Sequence, residues 1–281
     1  MLSKIMKYEN KAIGRLLGPL YLALAGVSLV TGIILRITGS RFADEENIEY
    51  YAEKIVEHSR VLEVLSTILM ITFVLLIMAI LFATIFMIIV RFNRGCLGDE
   101  GYLTFTLPVG IDTQLWARIL TAALWTVFSI LMMMICTAIL LIGANGLHIF
   151  DDLIPQLQEL FAQEGVLSFV LHGLLYFVVS LLACPILLYF CMTTGQQIMP
   201  KHRIVGAFVV YFGLTMIAQI AMTIFGFVGL GNSYILDYLF NVEPMIFFHN
   251  VMWFALGLEI VEGVAAYLLT RYFLTKKLNL E

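Results

Sequence analysis

LEVLSTILMITFVLLIMAILFATIFMIIV, residues 62–90, is the stretch that decides the fold. After Glu63 no charged side chain occurs until Arg91. A helix of ~20 such residues, rising about 1.5 Å per residue, crosses the ~30 Å hydrocarbon core of a bilayer. Working outward, five further runs share this character, at residues 16–37, 115–142, 167–192, 204–230 and 245–272. Each is long enough for a spanning helix with some tilt or overhang. Hydrophobic residues make up 61% of the chain and charged ones 13%, whereas soluble domains hold about 45–50% and about 25%. That contrast excludes a soluble domain. The connecting segments are too short for a second globular unit, so residues 1–281 are expected to form one membrane domain.

Orientation follows from the basic residues, because Lys and Arg stay in cytoplasmic segments. One set of segments carries Lys4, Lys7, Lys11 and Arg15, then Arg91, Arg94 and Arg118, then Lys201 and Arg203, then Arg271, Lys276 and Lys277. The alternate set holds only Arg36, Arg41, Lys54 and Arg60, all in its first member. Both termini are therefore expected in the cytoplasm of a multi-pass cell-membrane protein. A cleaved signal peptide is set aside: Ala23 and Ala25 could mimic a cleavage site, but the apolar run continues to Ile37. Lys4, Lys7, Lys11 and Arg15 occupy a narrow arc of a helical wheel, which predicts an amphipathic helix over 1–15 in the cytoplasmic interface of the lipid bilayer. A second amphipathic stretch, with Leu153, Leu157, Leu160 and Phe161 behind Asp151 and Asp152, is expected on the outer surface.

The net charge of −4 gives no support to nucleic-acid binding. Cys136, Cys184 and Cys191 sit in apolar runs and Cys96 in a cytoplasmic loop, so neither a disulfide framework nor a metal-binding spacing is present. No Gly-x-x-x-x-Gly-Lys-Ser/Thr run occurs, so nothing in the sequence cradles nucleotide phosphates.

The loop after the second run reads RFNRGCLGDEGYLTFTLPV, residues 91–109, followed by Asp112-Thr113-Gln114-Leu115. Asp99 is placed to cap a short helix, Glu100 lies in its first turn, Tyr102 and Phe105 stand three apart on one face, and Pro108 stops it. Such an aromatic-faced helix can enter a groove on a soluble partner. Asp112 is expected to cap the third span. At GDEGYLTFTLPV, residues 98–109, the chain resembles the permease subunits of bacterial ABC transporters of the ABC-2 type. The tail Lys276-Lys277-Leu278-Asn279-Leu280-Glu281 is similar to that family's, and the six-span layout with an interfacial N-terminal helix agrees. Trp116-Ala117-Arg118 departs from the small residue and Lys often found there, yet keeps a basic residue at the membrane edge.

The resemblance implies an all-α integral membrane protein: six transmembrane helices, a short cytoplasmic coupling helix between spans 2 and 3, and both termini inside. It implies that Asp99, Glu100, Tyr102, Phe105 and Pro108 dock on a separate nucleotide-binding ATPase subunit, where ATP and Mg would be bound. It further implies a second permease subunit, identical or related, and export as the direction of transport. By this reading the chain holds no catalytic residue, no metal and no cofactor of its own.

Conspicuous polar residues lie within the apolar runs. Glu259 and Glu262 are three apart near the middle of the sixth span, and a carboxylate there costs at least ~2.5 kcal/mol on insertion scales. They could line a pathway, bond structurally to Gln219 or Thr215 of the fifth span, or sit at a subunit interface. His172, His249 and Asn250 are expected toward outer span ends in helix contacts. A proton-coupled secondary transporter using Glu259 and Glu262 is the alternative function, but no internal symmetry supports it. An intramembrane enzyme is a third, without a nucleophile or histidine set beside the Glu pair.

Overall fold

The computed structural model describes residues 2–43, 52–98, 101, 109–146, 149–163, 165–230 and 244–276. Among these there are seven α-helices and no strand: α1 (Leu2–Ala43), α2 (Ala52–Phe92), α3 (Ile111–Asn145), α4 (Ile149–Ala162), α5 (Val166–Ile198), α6 (Arg203–Leu230) and α7 (Pro244–Lys276). All but α4 are long and apolar enough to cross a membrane. The chain is thus a multi-pass α-helical membrane protein. In hydrocarbon each backbone N–H and C=O must be satisfied within its own helix, so uninterrupted apolar runs fold this way. Hydroxyls at membrane depth follow the same rule. Thr31, Thr72, Thr84, Thr121, Thr137 and Thr270 each donate to the carbonyl four residues back, at 2.7–2.8 Å. Large apolar side chains such as Phe82, Leu75 and Phe212 stand exposed, which costs nothing against lipid.

The helix expected over 1–15 is not a separate element. α1 runs without interruption from Leu2 to Ala43, with Pro19 inside it. A proline removes one helix hydrogen bond and crowds the preceding turn, but spanning helices tolerate it. Lys7, Lys11 and Arg15 are exposed as their shared arc requires, and Ile13 on the other side is buried. Leu16 is exposed and Leu17 is buried.

Contacts gather the chain into two compact units, with α1, α2 and α3 contributing to both. One comprises Tyr8–Met87 and Leu124–Gln163. Its core is Ile13, Leu17, Tyr21, Leu24, Phe73, Ile80, Cys136 and Leu140. Ser129 of α3 ties three helices together, its hydroxyl bonded to Tyr21 of α1 at 2.7 Å and Thr84 of α2 at 2.9 Å. Trp125 Nε1 donates to Asn10 Oδ1 at 2.9 Å. α1 and α3 cross at Gly32 and Gly143, where a Cβ on Gly143 would fall 2.8 Å from the Gly32 Cα.

The other unit comprises Met1–Lys7, Ile88–Ala123 and Glu164–Glu281. α5 is its central helix, packed on both α6 and α7. Gly195 and Gly206 allow the α5–α6 approach: a Cβ on Gly195 would overlap the Ala207 backbone nitrogen at 2.3 Å. α7 meets α5 at Gly263 against Ala183. Phe92, Leu97, Leu115, Ile119, Tyr189 and Met192 form the centre of the core.

Candidate functional site

Asp99, Glu100, Tyr102, Phe105 and Pro108 lie outside the described residues. Both flanks of their loop are described, and both are anchored. Upstream, α2 passes into a π-turn over Asn93–Leu97, closed by Gly98 N–H donating to Asn93 O at 2.7 Å. Gly101 N–H then donates to Gly98 O at 2.8 Å. Downstream, Thr113 and Gln114 N–H both donate to Gly110 O, at 3.0 and 3.2 Å, as α3 begins.

Two arginines from other helices hold the upstream flank. Arg118 of α3 is buried, 7% exposed, and its Nη1 donates to Arg91 O at 3.0 Å. Arg203 of α6 donates through Nη1 to Leu97 O. The last carbonyls of a helix lack partners along their own chain and carry the negative end of its dipole. Two cations supplied there satisfy the carbonyls and find favourable field at once. The guanidinium of Arg118 lies directly over Gly95, where a Cβ would come within 2.3 Å of Nη2. Phe92 stacks on Tyr189 of α5, with ring centroids 4.1 Å apart and planes 10° from parallel. Tyr189 OH reaches Arg118 O at 3.3 Å.

The downstream flank is held by Asp112. Its Oδ1 accepts from Tyr267 OH of α7 at 3.0 Å and faces Arg271 Nε at 3.0 Å. Trp116 packs against the Tyr267 ring, with centroids 5.8 Å apart. Asp112 sits in the first turn of α3. It is not the cap expected there: α3 starts one residue earlier, at Ile111, and the Asp112 carboxylate instead joins α3 to α7. Arg118, expected as a basic residue at the membrane edge, is the buried centre of the upstream clamp. Cys96, Cys136 and Cys191 are buried as small apolar side chains, whereas Cys184, which its apolar run also suggested would be buried, is exposed. Sequence spacing carries no sign of these pairings, because the partners lie 27 to 159 residues apart.

The intramembrane residues are not gathered into one site. Glu259 of α7 accepts a hydrogen bond from Ser180 of α5 on Oε1, while Oε2 is buried with no hydrogen-bond partner among the described residues. The fifth-span partners expected for it do not take part. Thr215 donates to Phe212 O at 2.9 Å, and Gln219 is exposed on α6. Glu259 is half-buried against α5, and Glu262, three residues on, is exposed. His172 and His249 lie edge to face, centroids 4.2 Å apart, with Trp253 against His172 at 4.3 Å. Trp253 Nε1 donates to His249 Nε2 at 3.2 Å, and His172 Nδ1 donates to Ser168 O at 2.8 Å. These are helix contacts between α5 and α7, as expected. Among the described residues no group of three or more His, Cys, Asp and Glu side chains is placed to hold a metal ion.

The fold and site define a six-span helical membrane protein whose loop between α2 and α3 is braced on both flanks. No protein-family model, curated protein or solved structure matches the chain.

Proposed function

We propose that this chain is the membrane-spanning permease subunit of an ATP-driven transporter of the ABC-2 type, working in export with a separate nucleotide-binding subunit. The observation that carries the reading is the clamp on both sides of residues 99–108. Arg118 and Arg203 hold the carbonyls before the loop, and Asp112 ties the residues after it to Tyr267 and Arg271. A passive connector needs no such bracing. A lever that passes movement from a soluble motor to spanning helices does, because a push on a loosely tethered loop would be absorbed by local bending. In this reading Asp99 to Pro108 form the coupling helix, with Tyr102 and Phe105 entering a groove on the ATPase. ATP and Mg bind in that partner chain, and a second permease subunit completes the pathway in the cell membrane. The basic residues place both termini and the loop in the cytoplasm, with the start of α1 along the inner interface.

The test is co-purification in detergent of the tagged chain, coexpressed with an ATPase sought among the neighbouring reading frames by its phosphate-binding loop, for wild type and for Tyr102→Ala with Phe105→Ala. The ATPase should accompany wild type and be lost or uncoupled in the double variant. If none associates with wild type, the reading fails. Glu259 supports the second reading, a proton-coupled secondary transporter, through its buried and unpartnered Oε2. Proton-dependent flux lost in Glu259→Gln, with no ATPase bound, would favour it.

A further inference from the structure

α4 is the one described α-helix too short to cross a membrane, and its apolar side is exposed. Phe150, Leu153, Ile154, Leu157, Leu160 and Phe161 are each between 41% and 51% exposed. At 100° per residue they fall within an arc of about 120°, with Asp151, Gln156, Gln158 and Glu159 outside it. None of the six joins a core cluster.

Chain connectivity says which medium covers this face. α3 ends at Asn145 and α5 starts at Val166, so only residues 146–148 and 163–165 link α4 to two candidate spans. A link of three residues reaches about 14 Å at most. α3 and α5 are consecutive spans, so they leave and re-enter the membrane on one side, and both ends of α4 are tied to that surface. Its 14 residues make a helix about 21 Å long, which cannot cross ~30 Å of hydrocarbon. It therefore stays on that side of the membrane, and the apolar medium nearest its two ends is the acyl region below the headgroups.

Charge narrows the choice of lipid. No Lys or Arg occurs between Arg118 and Lys201, while α4 carries Asp151, Asp152 and Glu159. Interfacial helices that seek anionic lipid display Lys and Arg on the polar face. This one displays carboxylates. We propose that α4 is a lipid-inserted interfacial helix whose Phe150–Phe161 face sinks into the acyl boundary of electrically neutral lipid, held by apolar burial without headgroup charge.

The full-length protein, in nanodiscs of phosphatidylcholine, tests this. With native cysteines replaced by alanine, nitroxide labels go in turn at positions 153, 157 and 161 and at 156 and 159. Relaxation by oxygen, which partitions into lipid, is compared with relaxation by a water-soluble nickel chelate. The oxygen-to-nickel ratio should be several-fold higher at the first three positions. Replacing half of the lipid by phosphatidylglycerol should lower that ratio, and salt should restore it. Equal nickel access at all five positions would overturn the proposal by placing the face in water. Protection from both reagents at 153, 157 and 161 would overturn it equally, since a protein surface or second copy would then cover the face. A rise of the ratio in phosphatidylglycerol would overturn the choice of neutral lipid. If the cysteine-free chain does not fold, Leu157→Trp in the native background gives the same decision. Brominated acyl chains should quench the added fluorescence, and failure to quench would refute insertion.

Discussion

Replacing Gly95 by alanine should destabilise the protein only while Arg118 is present. The new Cβ would stand 2.3 Å from Nη2 and 2.4 Å from Nη1, where ordinary contact begins near 3.4 Å. The guanidinium must withdraw by about 1 Å, which breaks its 3.0 Å bond to Arg91 O. Losing a hydrogen bond made by a charged group costs about 1.5–3 kcal/mol. Alanine is favoured over glycine within a helix by about 1 kcal/mol, which offsets part of that loss. Gly95→Ala alone should therefore cost about 0.5–2 kcal/mol. In an Arg118→Ala background the obstacle is gone, so the same change should be neutral or stabilising by up to about 1 kcal/mol. The reversal of sign is the diagnostic, because independent sites add to within about 0.5 kcal/mol. Unfolding of the four proteins in mixed micelles with rising dodecyl sulfate, followed by far-UV circular dichroism, measures the cycle. Additive effects would refute the placement of Arg118 over Gly95 and the clamp built on it.

Gly195→Ala or Gly206→Ala forces backbone against backbone where α5 meets α6, and should cost about 1–3 kcal/mol as overpacking. Gly213→Ala, with open space around it, should be neutral or stabilising in the same assay. Ser129→Ala removes the shared partner of Tyr21 and Thr84, for a loss of about 1–3 kcal/mol, and Tyr21→Phe should add little in that background. Asp112→Asn weakens a pair whose side chains are 46% and 51% exposed, so its cost through Arg271 should stay near 0.2–1 kcal/mol and shrink with salt. Tyr267→Phe, measured alongside, isolates the hydroxyl bond that remains.

The spanning helices were readable from sequence because hydrocarbon imposes one rule on every residue in a run, and the rule shows locally as length and apolarity. All six expected runs appear as helices. Contacts between helices leave no such trace. Arg118 looks like an ordinary flanking cation until α2 brings Arg91 O and Gly95 beneath it. Asp112 reads as a helix cap because its partners Tyr267 and Arg271 lie on a helix more than 150 residues away. Of the roles open to Glu259, a bond to Gln219 or Thr215 on the preceding span is not the one formed, because α5 lies against α7 and presents Ser180. The pattern of Lys4, Lys7, Lys11 and Arg15 correctly marked one exposed face for its described members, yet periodicity cannot say whether a helix stops before the next begins. Here α1 continues through Pro19.

Photo-crosslinking from position 105 tests the central claim most directly. A photoreactive residue replaces Phe105, or Glu164 as a control, in cells coexpressing the neighbouring ATPase. The account predicts an adduct between position 105 and the ATPase, none from position 164, and loss of the adduct when Tyr102 is also replaced by alanine. An ATPase adduct from position 164, or none from 105 while the chain is correctly inserted, would contradict it.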